Sequence, residues 1–306
     1  MCSSDLDDVG FSPRERYIVA MKRVIEPVGE ARDDYRIFSD LAARLGVREA
    51  FTEGLEPAAW IRRLYEEGRE RGAAAGVALP DFDTFWEEGM VDMLPAPRSH
   101  VMLEAFRRDP AADPLPTPSG KIEIFSATIA GFGYADCGGH ARWYEPAEWL
   151  GGAKAARFPL HMLSDQPHTK LHSQFDHGAY SQQNKVAGRE PVTLNRADAG
   201  ERGIADGDLV RIFNDRGSCL AGARLSDAIR RGVIKLSTGA WFDPAAWDQD
   251  KPIEKHGNPN ALTLDAGASQ LSQGCIAQTC LVEVERWMQE APAVTAYDLP
   301  VFADPR

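Results

Sequence analysis

The sequence predicts an α+β fold, with a mostly helical first part followed by a barrel of short strands. Three observations carry that expectation. Apolar residues recur at helical spacing through roughly the first 95 residues. A stretch rich in proline and aspartate, Arg108–Ser119, then interrupts the periodicity. From Phe158 onward, short apolar or alternating runs stand between tight turns, as in a closed sheet.

The helices are expected in order. Arg14–Ile25 places Tyr17, Ile18, Met21, Val24 and Ile25 on one face, and Pro27 stops it. Asp34 can cap a second helix whose stripe is Tyr35, Phe38, Leu41, Ala42 and Leu45, closed by Gly46. Pro57 opens a third, with Trp60, Ile61, Leu64 and Tyr65 inward, and Phe82, Phe85 and Trp86 form a short fourth. All these stripes read as core. Lys121–Phe125 alternates as a strand would, and residues 131–157, with scattered Gly, Trp and Pro, read as irregular chain wrapped over another surface. In the barrel, Pro191–Leu194 is a strand and Asn195 caps a short helix ending at Gly203. Asp206-Gly-Asp208 turns into the strand Leu209–Phe213, and Asn214–Gly217 turns into Ser218–Leu225. Asp227–Gly232 gives one helical turn before Val233–Leu236, and Leu281–Glu285 closes the set. Helical turns between strands imply a more knotted barrel than an up-and-down one.

The 306 residues are 43% hydrophobic and 26% charged, which fits an ordinary soluble protein of one large or two smaller domains. No apolar run reaches the roughly 18 residues needed to cross a bilayer, and the start, MCSSDLDDVG, lacks the basic and apolar segments of a secretory signal. The net charge of −12 argues against nucleic-acid binding, but not against an anionic ligand held locally by backbone N–H groups and a few cations. Cys2, Cys137, Cys219, Cys275 and Cys280 are scattered, with no CxxC and no disulfide framework, the pattern of a reducing compartment.

No GxSxG, HExxH or complete phosphate-binding loop is present, and Gly131-Phe-Gly133 fails the dinucleotide fingerprint. Three polar constellations remain. The first is the segment 161–180, led into by the apolar run Phe158–Leu163: four of the seven histidines, His161, His168, His172 and His177, fall there among Ser, Asp, Gln, Thr and Lys. Their spacing suits no zinc helix motif; hydroxyl, amide, imidazole and ammonium donors suit a polar ligand. The second is Lys255-His-Gly-Asn-Pro-Asn260, a rigid turn presenting carboxamides, and the third is the small, amide-rich Ser269–Thr279. Carboxamides offer a donor and an acceptor each and so read heterocycle edges. Together the three loops look like walls around one large heterocyclic ligand.

In order, five segments resemble a known family: Pro116–Ile124, the LSDQPHTKLHSQ loop, Asn195–Gly217, His256–Thr263 and the QGCIAQTCLVEVERW tail, with residues 17–46 adding to them. They are similar to the C-terminal half of molybdopterin oxidoreductases of the dimethyl-sulfoxide-reductase family, in the branch of biotin sulfoxide, dimethyl sulfoxide and trimethylamine N-oxide reductases. The resemblance implies a partial α/β domain over residues 7–130, an irregular connection over 131–157, a cofactor-binding double-psi β-barrel over 158–290 and a tail over 291–306. It implies a bis(molybdopterin guanine dinucleotide) molybdenum cofactor shared with an N-terminal half. Ser164, Gln166, Lys170, His172, Ser173 and Gln174 would contact the pterin or its phosphates, and Asn258, Asn260, Gln273 and Gln278 would face the second pterin. It implies a sulfoxide or N-oxide substrate and an electron-donor protein for the complete enzyme. Family members are longer, and their molybdenum-ligating side chain, usually Ser, lies in the N-terminal half; no residue here matches its motif. The chain alone is therefore expected not to turn over, and no residue is assigned as catalytic or metal-ligating. Residues 1–6 depart from the family, which implies an interrupted or mis-assembled gene, and localisation stays open. A non-enzymatic pterin-dinucleotide-binding module, or a subunit completed by a separate N-terminal polypeptide, is the second reading. A small metal site at His168, His172 and His177 is the third.

Overall fold

The computed structural model describes residues 5–12, 15–93 and 101–299. The chain divides into two compact units, Met1–Pro114 and Leu115–Arg306. The division falls within the Pro/Asp-rich stretch at 108–119, where no regular element could carry a core across.

The first unit combines helices with a three-stranded antiparallel sheet of order β1-β2-β3, formed by β1 (Asp8–Gly10), β2 (Tyr17–Met21) and β3 (Met90–Asp92). The helix expected at Arg14–Ile25 is overturned: its centre is β2, and Arg14 lies outside the described residues. A five-residue run with β-branched Ile18 and Val19 fits either period, and pairing with β1 and β3 on both sides decides for the strand. Helix α1 (Asp34–Arg44) is capped by Asp33, one residue earlier than expected, whose carboxylate accepts from Arg36 N. Then come α2 (Arg48–Thr52), α3 (Pro57–Ala74), α4 (Phe82–Glu88) and α5 (Glu104–Arg108). Ala20 of β2, Tyr65 of α3, and Phe82 and Phe85 of α4 form the core, with Tyr65 and Phe85 stacked at 4.4 Å. Tyr65 is inward as the pattern required, but Leu64 is exposed, as are Phe38, Leu41 and Leu45 of α1.

The second unit opens irregularly. Lys121–Phe125 is not a strand: Ile122, Ile124 and Phe125 are exposed, because alternation without a pairing partner satisfies no backbone groups. A short helix α6 (Ala127–Gly131) follows. The barrel is built from β4 (Leu160–Leu163), β5 (Pro191–Leu194), β6 (Leu209–Phe213), β7 (Ser218–Leu225), β8 (Val233–Leu236) and β10 (Leu281–Arg286), with β9 (Ile253–Glu254) as a seventh strand on β7. The order β5-β8-β4-β10-β6-β7 closes on itself through a β5–β7 pairing. The β4–β8 and β5–β7 pairs are parallel, and the other pairs of the ring are antiparallel. Closure leaves these six strands without a free edge. Two further helices, α7 (Ala179–Asn184) and α8 (Arg196–Gly200), lie between strands, and Asn195 caps α8 by accepting from Ala197 N. Residues 227–232 form a turn rather than the helical turn expected.

Side-chain alternation shows why the barrel forms. Val210 and Ile212, Ile234 and Leu236, and Val282 and Val284 face inward into one apolar core. Between them Arg211 and Glu285, directly opposite in register, pair on the outside at 3.2 Å. The segment before β4 is fastened by Glu148, whose carboxylate holds Arg216 at 2.6 and 3.0 Å, Lys154 at 2.6 Å and the Leu281 backbone N–H at 2.8 Å. No helix among the described residues is long and apolar enough to cross a membrane.

Candidate functional site

Strands β4 and β8 run parallel, so their C-terminal ends open on the same side, the usual position for a ligand crevice in parallel strands. The loop after β4 begins at buried Ser164 and runs to α7; the loop after β8 is Ser237–Trp241. The two are laced together. Asp165 O accepts from Thr238 N at 2.9 Å, and the Asp165 carboxylate takes the Ser237 hydroxyl at 2.6 Å and Lys235 at 3.2 Å. Trp241 donates its indole N–H to Ser173 O at 2.8 Å and its backbone N–H to Asp176 Oδ2 at 3.0 Å. Gly239 (φ +95°) sits so close to the β4 loop that a Cβ there would lie 1.8 Å from His172 O. Only glycine meets both the backbone angle and that approach.

At its tip, His172 (φ +51°) and Phe175 (φ +59°) are both left-handed. Such geometry costs about 1 kcal/mol or more per non-glycine residue and needs strong surroundings to hold it. A buried ion quartet supplies them. The Lys170 ammonium lies 2.9 Å from Asp176 Oδ1 and 2.6 Å from Glu190 Oε2, and Lys185 lies 2.8 Å from each of the same two oxygens. All four side chains are 0–2% exposed. Burial alone would discharge such groups, but here each charge faces two of opposite sign. Burial pulls the Lys170 pKa down, yet its bonds to Glu190 and Asp176 outweigh that and leave it raised. Likewise Asp176 is held well below the usual carboxylate range by Lys185 and Lys170 against the opposing effect of burial.

Behind the quartet, His256 is fully buried. Its Nδ1 lies 2.9 Å from Trp241 O, so this nitrogen carries the proton, and its Nε2 faces the Tyr297 hydroxyl at 3.0 Å. Burial and the nearby Lys185 charge lower its pKa and keep the ring neutral. Tyr297 also reaches Asp176 Oδ2 at 2.8 Å and receives the Gln182 amide at 3.0 Å.

The second constellation joins the same framework. Asn258 is buried, donates its amide to Ala240 O at 2.8 Å and accepts from Asn260 N at 2.9 Å. Its turn wraps Glu254, whose oxygens accept backbone N–H groups of Asp243, His256, Gly257 and Asn258 at 2.7–3.2 Å. The third constellation divides. Gln278 clamps Ser164, accepting its N–H at 3.0 Å and donating to its carbonyl at 2.5 Å. Gln273 instead bonds Ser269 O within its own hairpin, beside Asp136, which accepts from Gln270 N.

Of the residues singled out from sequence, Ser164, Asn258 and the Lys170 side chain are buried in the framework and exposed Gln278 is bonded into it, while Gln166, His172, Ser173, Gln174, Asn260 and Gln273 are exposed. Three buried hydroxyls of the two facing loops, Ser164 Oγ, Thr169 Oγ1 and Thr238 Oγ1, have no hydrogen-bond partner. Buried polar atoms are rarely left so, and they mark where an added polar group could bond. No group of three metal-capable side chains is assembled among the described residues, which leaves the His168–His172–His177 alternative without a site.

The profile described as "Molydopterin dinucleotide binding domain" matches residues 160–281, from the first residue of β4 to the first of β10. The barrel is a molybdopterin dinucleotide-binding domain. The chain as a whole is 48% identical over 303 residues to a biotin sulfoxide reductase of Cereibacter sphaeroides, covering 98% of this chain and 40% of that protein. It is 44% identical over 298 residues to a dimethyl sulfoxide/trimethylamine N-oxide reductase of the same organism, and 45% identical over 300 residues to a trimethylamine-N-oxide reductase of Salmonella typhimurium. These matches cover 97% of this chain in each case, and 36% and 35% of the relatives. The chain thus spans 35–40% of the length of these relatives. Among solved structures, acetylene hydratase from Pelobacter acetylenicus shares the fold, with a TM-score of 0.64 at 18% identity over 93% of this chain and 37% of that one.

Asp176, Lys185, Glu190, His256 and Tyr297 form a unit that the sequence does not announce. His256 was visible only within a turn motif, and the others are dispersed from 176 to 297, so no local spacing joins them. A lysine close to a buried strand, needing an acid to accompany it, was the available signal.

Proposed function

We propose that this chain forms one wall of a bis(molybdopterin guanine dinucleotide) molybdenum centre, shared with further polypeptide, in an enzyme that reduces a sulfoxide or an N-oxide. The reading is carried by the paired loops after β4 and β8, where partnerless buried hydroxyls stand beside exposed imidazole, hydroxyl and carboxamide groups. A dinucleotide presents pyrophosphate oxygens, ribose hydroxyls and heterocycle edges, which these donors and acceptors match. Ser164, Gln166, His172, Ser173 and Gln174 would hold one pterin dinucleotide, and Asn260, Gln273 and Gln278 would face the other. Lys170 and Asn258 act from behind: the first anchors the loop through Asp176 and Glu190, the second fixes the neighbouring loop through Ala240. The left-handed tip at His172 and Phe175 holds these groups in a preset arrangement. When bound, the molybdenum centre supplies two-electron oxygen-atom transfer; the residues of this chain bind, orient and exclude water around it.

The test is expression of the full chain in a host that makes the cofactor. Pterin fluorescence after denaturation and molybdenum content are then measured for the wild type, His172→Ala and Ser164→Ala. The expected result is bound pterin that falls several-fold in the variants, with no viologen-driven sulfoxide reduction by the chain alone. Absence of pterin from a preparation that also contains the rest of a relative's polypeptide would overturn the proposal.

A further inference from the structure

Helix α1 leaves most of its apolar stripe uncovered. An amphipathic helix on a folded unit turns its apolar stripe inward. Here the stripe is Ile37, Phe38, Leu41 and Leu45, which fall within roughly 100° of arc at 100° per residue, and they are 46%, 53%, 48% and 69% exposed. The buried side of the same helix is made of Ser39 and Ala42. Ser39 is small and polar, and its hydroxyl has no hydrogen-bond partner. Packing therefore covers only the Tyr35–Ala42 edge of the apolar stripe and leaves the rest of it open. Four large apolar side chains in a row on one exposed face mark an interaction surface rather than scattered surface hydrophobics. Along one border, about 20° of arc from Ile37, lies Arg44, whose guanidinium donates to Asp40 O and has no carboxylate partner among the described residues. The apolar face with this cation at its border suits an apolar partner that carries a carboxylate opposite Arg44. The relatives carry 60% or more of their length outside the part this chain matches.

We infer that the Ile37–Phe38–Leu41–Leu45 face of α1 is the seat of a polypeptide body equivalent to that unmatched part of the sulfoxide and N-oxide reductases, docking through apolar side chains with a carboxylate facing Arg44. The inference rests on the function proposed above only for the identity of the partner. The face buries its large side chains when that body is present, and Arg44 gains a carboxylate partner.

The test joins the unmatched part of the Cereibacter sphaeroides biotin sulfoxide reductase to this full chain in one polypeptide. Two variants are labelled with a small maleimide, Leu45→Cys on the face and Met288→Cys as an exposed control on the other unit, and each peptide is quantified by mass spectrometry. In the chain by itself both thiols should label quickly. In the joined protein Leu45→Cys should slow at least tenfold while Met288→Cys changes little, and Leu41→Asp should restore labelling at position 45. Equal labelling at position 45 with and without the added part, in a joined protein that has loaded molybdopterin, overturns this interface and leaves the cofactor reading standing. A joined protein that protects position 45 but takes up no molybdopterin supports the interface and removes the cofactor reading. Protection of position 45 in the chain by itself, with a doubled mass in solution, assigns the face to a second copy of this chain and also overturns the inference.

Discussion

The quartet of Lys170, Lys185, Asp176 and Glu190 gives the sharpest energetic prediction. Glu190→Gln keeps the shape of the side chain and removes one charge from a group whose members are 0–2% exposed. Both ammonium groups, at 2.6 and 2.8 Å from Glu190 Oε2, then share the single carboxylate of Asp176, and one positive charge is left buried without compensation. Breaking a buried pair by removing one partner costs about 3–5 kcal/mol. For a unit of this size each kcal/mol moves Tm by roughly 2–4 °C, so a loss of about 6–20 °C is expected. Calorimetric unfolding of the full chain at neutral pH measures it. The double variant Lys185→Met with Glu190→Gln restores the balance of one ammonium to one carboxylate. It should fall short of the sum of the two single losses by more than about 1 kcal/mol, as groups in one network do. A loss under about 2 °C in Glu190→Gln, or strict additivity in the double variant, would refute the view that these charges hold one another in place.

Two further outcomes are expected from the loop contacts and from Glu148. Gly239→Ala puts a Cβ against His172 O and imposes a left-handed angle on alanine, so it should lower stability by about 1–3 kcal/mol and speed proteolysis at 171–177; an unchanged cleavage rate would refute the close approach of the two loops. Burial raises the Glu148 pKa, but Arg216, the Leu281 N–H and Lys154 outweigh it and hold the group at about 2, below its ordinary value of 4.5. Its contribution is therefore in place above pH 4.5 and lost as pH falls toward 2, so Tm should fall more steeply over that range in the wild type than in Glu148→Gln. Parallel curves would refute that role.

The barrel was legible because its turn chemistry is local. Asn195 caps α8, and Asp206–Asp208 and Asn214–Gly217 turn where their residue types require. The strands between them alternate because one side of each meets the core. The first unit was less legible. The residues Tyr17–Met21 fit a helix and a strand equally, and only partners at 8–10 and 90–92, far away in sequence, decide between them. The expected stripe on α1 is buried at Ala42 and half-buried at Tyr35 but exposed at Phe38, Leu41 and Leu45, since periodicity reports a face and not what covers it. At the site, the β4 loop was found from its donors, but the role of Lys170 depends on Asp176, Lys185 and Glu190, and no short-range pattern encodes a charge balance assembled by folding.

The position of β4 in the ring governs the order in which the domain can be completed. Strand β4 emerges first of the six, yet its neighbours are β8 and β10, and Leu160 pairs with Val282. During synthesis the loop that follows β4 is therefore released well before the strand that flanks it and before Gln278, which clamps Ser164. Contacts so distant along the chain form slowly, because a long loop must close before they return any stability. Until then β4 presents an open edge to any other strand it meets. The ligand wall is thus begun first and finished last, and whatever fills it must wait for a chain that has been made through to β10.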